Sequence, residues 1–160
     1  MRYLAGVCGD RFPGGDLFVV MRNSVVVFSL SDYPAVRVFF GMEARAYLEG
    51  LRTFEGACTL CTLTKDEAER LIAKAVVWFD ELEGHLQRAA EELMEQGIEK
   101  LECDDPNPSV ELKILHLKLI GFRSLLPVEQ CKSLQTGPEL IDGCFHIAMV
   151  NERIRRLREP

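Results

Sequence analysis

The pattern of apolar and polar positions changes character near residue 55. Residues 17–21 (Leu-Phe-Val-Val-Met) and 25–30 (Val-Val-Val-Phe-Ser-Leu) are rich in β-branched and aromatic residues, and Arg22, Asn23 and Ser24 between them supply a tight turn. Residues 36–40 (Val-Arg-Val-Phe-Phe) follow a turn signal at Pro34 and extend this hairpin into a meander, to which residues 3–7 add a fourth strand. An antiparallel sheet is expected. From Glu43 onward, Ala44, Tyr47, Leu48 and Leu51 recur at helical spacing, which predicts a short helix covering the sheet.

The strongest periodic signal comes next. Thr64 and Glu67 have the spacing of a capping box, in which hydroxyl and carboxylate each accept from an otherwise orphaned backbone N–H. Beyond it Ala68, Ile72, Ala75, Phe79, Leu82, Leu86, Ala89 and Leu93 alternate spacings of four and three, and Leu71, Val76, Ala90 and Met94 widen the stripe. Such breadth suits a helix lying on a core better than the narrow seam of a free coiled coil. A helix of about 33 residues would span roughly 50 Å, against a diameter of roughly 40 Å for a compact domain of this size. Either Gly84 bends it, or another helix or another chain completes its apolar end.

Pro106 and Pro108 stop the pattern. Ser109 then suits the cap of a further helix carrying Leu112, Leu115, Leu119, Phe122 and Leu126 on one face, although Leu112 and Ile114 alternating with Lys113 also fit a strand. Pro127 ends this element. Gly137 and Pro138 open a last helix in which Leu140, Cys144, Ile147, Val150, Ile154 and Leu157 share a side. The predicted fold class is α+β: an N-terminal antiparallel β-meander with a covering helix, followed by a three-helix assembly containing one long amphipathic helix. One domain spans 1–160, with a sheet-rich half at 1–56 and a helical half at 64–160.

Composition narrows the function classes. No apolar run approaches the roughly 20 residues needed to cross a bilayer. Asp10, Arg11 and Asp16 interrupt the N-terminal region before an export signal of about 7–15 apolar residues develops. A cytoplasmic protein is expected, with its six cysteines as reduced thiols. The net charge of -6 is uneven: residues 65–105 carry 13 acidic and 5 basic side chains, a local -8, which leaves +2 for the remainder. The sequence pI of about 5.2 argues against direct nucleic-acid binding.

Motifs for chemistry are sparse. Cys58 and Cys61 form the one Cys-x-x-Cys spacing, half of a zinc site that needs two more ligands from the remaining cysteines and from His85, His116 and His146. Packed, reduced thiols are the ordinary alternative, so no cofactor is expected apart from zinc at this pair. The glycine-dense residues 6–15 lack a lysine and lead into a strand, unlike a phosphate cradle. No histidine sits in a Glu-x-x-His or His-Glu-x-x-His setting.

The function expected is non-catalytic: protein interaction or regulation through the long acidic helix, with a protein partner or a second copy bound at Phe79, Leu82, Leu86 and Leu93 and at Arg153, Arg155 and Arg156. The alternatives are a metal- or small-molecule-binding enzyme at the sheet-helix junction, and an acidic antagonist of a nucleic-acid-binding protein.

Overall fold

Five N-terminal strands and a short one from the helical half build the sheet. The computed structural model describes residues 2–8, 16–30, 34–53, 58–102, 109–127, 131–133 and 144–159. The chain runs β1 (Tyr3–Cys8), β2 (Asp16–Val20), β3 (Ser24–Ser29), β4 (Ala35–Phe40), α1 (Gly41–Thr53), β5 (Cys58–Leu63), α2 (Lys65–Glu95), α3 (Val110–Ile120), a 3-10 turn at Phe122–Leu125, β6 (Cys131–Ser133) and α4 (Cys144–Arg158). The strands form one antiparallel sheet in the order β4-β3-β2-β1-β5-β6. The α+β class and the meander with its covering helix are as the sequence predicts.

Two elements were not visible in the pattern. β5 places the Cys-x-x-Cys segment beside β1, with Ala5 opposite Cys61 and Cys8 opposite Cys58, so β1 lies inside the sheet. β6 adds three residues of the helical half as the far edge, next to β5. The sheet therefore draws on both halves of the chain.

Each face of the sheet has its own cover. Ala5, Val7, Leu17, Val19, Phe28, Cys61 and Leu63 point to one side and join the core formed with α2, α3 and α4. Phe18, Val25 and Val27 point to the other, where Ala44 of α1 is buried and Tyr47, Leu48 and Leu51 pack around them. Gly6 belongs to this second face. An added Cβ would lie 2.7 Å from Leu60 and 2.8 Å from the Phe18 ring, so the missing side chain lets these neighbours close over β1. Tyr47 fixes α1 by donating a 2.8 Å hydrogen bond to Asp16 at the start of β2. Burial first, and the adjacent carboxylate second, push its hydroxyl well above the usual phenol range.

The long helix forms as its signals require. Thr64 and Glu67 make the reciprocal capping box, and α2 continues unbroken through Gly84 for 31 residues, about 46 Å. Its stripe is buried from Ala68 to Leu93. The completing partner is this chain itself: Leu112, Leu115 and Leu119 of α3 and Ile147, Val150 and Ile154 of α4 are 0–4% exposed in the same core. Residues 110–120 are helix rather than strand, capped by Ser109, whose side chain accepts from the Leu112 N–H. The expected start of the last helix at 136–138 lies outside the described residues.

The four apolar side chains expected to meet a partner lie inside this core. Phe79 is 7% exposed, Leu86 1%, and Leu82 and Leu93 0%, so these four side chains hold the chain's own layers together. Leu86→Ala should therefore lower stability to chemical denaturation by about 2–5 kcal/mol and leave the molecular mass in solution unchanged. A partner-facing leucine would show the reverse.

Candidate functional site

β4 differs from the other strands of the meander in what it leaves uncovered. Among the described residues it is one edge of the sheet, and its register sets Val36 opposite Phe28 and Val38 opposite Val26. Val36, Val38 and Phe40 therefore share the α2 side of the sheet, yet they lie beyond the helices, at 48%, 46% and 63% exposure. Met42 follows at 85%. The strand leads directly into α1 through Gly41, whose φ of +55° suits a residue without a Cβ. On the α1 side of β4, Arg37 is exposed, while the Phe39 ring stacks on Tyr47 at 5.5 Å. Apolar edge strands are templates for pairing, which proteins ordinarily blunt with charge, proline or bulges. Arg37 is the one charge that β4 carries.

A second apolar row lies on α3. Val110 and Leu117 are 67% and 69% exposed and Ile114 is 37% exposed, at spacings of four and three on the side away from Leu112, Leu115 and Leu119. This short helix is apolar on two sides.

Several polar groups of α2 meet its neighbours in the same chain. With its proton on Nδ1, His85 donates to Glu111 of α3 at 2.9 Å, and Arg88 Nε lies 3.4 Å from the other oxygen. Glu81 pairs with Lys118, whose ammonium also lies 5.7 Å from the Trp78 ring centre. Ser109 donates to Glu92 at 2.6 Å. On α4, Arg153 binds Glu83 and donates to Gln87 at 2.9 Å, and Arg158 reaches Glu99 at 2.9 Å. Asn151 bonds both the N–H and the C=O of Leu101, at 2.9 and 2.8 Å.

The expected arginine site thus separates into parts. Arg153 is buried against α2, whereas Arg155 and Arg156 are exposed and share Glu152, whose carboxyl their hydrogen bonds pull down to about 2. Arg155 also pairs with Glu159. The three expected arginines do not converge with Phe79, Leu82, Leu86 and Leu93 on an open surface.

The thiol pair falls on a strand. Two thiolates at this spacing close on one ion from a turn, while a strand sends successive side chains to opposite faces. Cys61 is buried, and its Sγ lies 3.8 Å from the Pro127 carbonyl oxygen. The side chain of Cys58 lies outside the described ones. Among the described residues, no three His, Cys, Asp or Glu side chains are grouped to hold a metal ion, and no helix is long and apolar enough to cross a membrane.

Charge complementarity between α2 and α3 has a pH signature. The hydrogen bond from His85, reinforced by Arg88, holds the Glu111 carboxyl below its usual value of 4.5, and Lys118 does the same for Glu81. A depressed folded-state value means that the contribution is complete above the unfolded value and is lost as pH falls through the folded one. The difference in melting temperature between the wild type and Glu111→Gln should shrink toward zero as pH falls below about 4. A difference that does not vary with pH would contradict this.

Compared with known protein families, curated proteins and solved structures, the chain matches none.

Proposed function

We propose that this chain is a non-catalytic, cytoplasmic protein-interaction protein whose contact surface is the uncovered row on β4, not the stripe of α2. One observation carries this reading: Val36, Val38 and Phe40 stand side by side at 46–63% exposure on an open sheet edge, while the other valines and phenylalanines of β2 and β3 are buried or partly buried. Contiguous exposed apolar surface beside unpaired backbone donors and acceptors is the signature of a strand-pairing partner site. The long helix lies on the same side of the sheet: through Phe79 packed on Phe28 at 5.4 Å it holds the sheet on which β4 is displayed.

The other two readings draw less support. An acidic antagonist needs a free acidic face, yet Glu81, Glu83, Glu92 and Glu99 are engaged by α3 and α4. An enzyme at the sheet-helix junction needs accessible groups there, and Cys61 is buried against Pro127.

A photo-crosslinking residue placed at 38 and expressed in cells tests the reading. It should yield protein adducts, identified by mass spectrometry, that are absent when the same residue replaces Val77 on the outer side of α2. No adduct from positions 36, 38 and 40 would overturn the proposal.

A further inference from the structure

We propose that β4 of one molecule pairs with β4 of a second copy, antiparallel, about a twofold axis through Val38, joining two six-stranded sheets into one of twelve. This rests on the reading of β4 as the contact surface and names its occupant. The backbone is a template for another strand: among the described residues β4 is a six-residue edge, so one row of its N–H and C=O groups faces away from β3. Among the described residues the opposite edge is β6, whose three residues offer little to a head-to-tail neighbour. A twofold pairing of β4 with itself uses both long edges at once and stops at two.

Parity restricts the register. A twofold axis perpendicular to the sheet keeps the α2 side of one copy continuous with the α2 side of the other. Paired residues must then lie on the same face, so the axis passes through a residue and not between two. Parallel pairing about an in-plane axis would put the two apolar rows on opposite faces.

An axis can pass through any of the six residues of β4; at Ala35, Val36 or Phe40 the ladder keeps three residues or fewer, and charge and length choose among the rest. Through Arg37, the two guanidinium groups would stand directly opposite each other, a destabilising arrangement. Through Phe39, the ladder would cover only residues 38–40, because the chain turns into α1 at Gly41. Through Val38, it covers residues 36–40: Val36 faces Phe40, Val38 faces Val38, and the rows merge into one apolar strip. On the other face Arg37 meets Phe39 of the second copy, whose ring stacks on Tyr47. A cation is thus set against an aromatic pair instead of against its own image.

Sedimentation of the full chain from micromolar to near-millimolar concentration should show a mass rising toward twice 18.1 kDa. Val38→Lys changes a side chain that is 46% exposed, so folding and melting temperature should hold, while two like charges at the axis weaken self-association roughly tenfold or more. Residues opposite each other across an antiparallel ladder have Cα atoms about 4.5–5.5 Å apart, within disulfide range. Val38→Cys should therefore yield a covalent dimer on mild oxidation, beyond the background of the parent chain and its native cysteines, and Arg37→Cys should not. A monomer at all concentrations overturns the inference, as does a dimer that Val38→Lys leaves intact and Val38→Cys fails to lock. If crosslinks from position 38 reach only a foreign protein, the proposed function stands and this occupant is wrong.

Discussion

The apolar stripe of α2 is the constraint on which the other layers depend. A helix of 31 residues cannot bury so broad a stripe against the sheet alone, because its strands are at most six residues long. Strands of that length extend roughly 20 Å, less than half of the helix. The stripe from Ala68 to Leu93 lies in one core to which the sheet, α3 and α4 all contribute, with Phe79 packed on Phe28 of β3. The helical half is thus less an appendage than the completion of a surface that the sheet is too small to cover.

Electrostatics follow from the same geometry. Once α3 and α4 flank α2, their cations come to lie beside its carboxylates and the acids just beyond it: Lys118 beside Glu81, Arg153 beside Glu83, Arg158 beside Glu99. The excess of negative charge over residues 65–105 is partly neutralised within the chain, and the arginines near the C-terminus find acids there and on their own helix. Partly exposed pairs of this kind contribute little individually, of order 0–1 kcal/mol each. They set which sides of α3 and α4 face α2 more than they hold the helices there, a task that falls to the leucines.

The same layering leaves β4 behind. The α2 layer covers Phe28 on β3 but leaves Val36, its cross-strand neighbour, half exposed, while α1 shields only the opposite side, where Phe39 meets Tyr47. An edge strand with three apolar side chains on its open face is a liability in isolation and a recognition surface when something pairs with it. That asymmetry is why the interaction surface proposed above lies on the sheet edge and not on the helix.

Local rules were legible in the residues. Thr64 and Glu67 announced the start of α2, Ser109 capped α3, and the β-branched runs at 17–30 formed a hairpin, because capping and periodicity depend on neighbours within a few positions. β5 escaped notice because Cys58, Thr59, Leu60 and Cys61 read equally well as a thiol pair, and β6 because three residues carry no period. The amphipathic stripe stated that Leu86 and Leu93 must be buried, and left open in what. Only the tertiary structure decided that α3 and α4 fill that role, that His85 meets Glu111 26 positions away, and that β4 is an edge. Periodicity records which side of an element avoids water. The surface that shelters it is set by contacts between residues distant in the chain, and these leave no local mark.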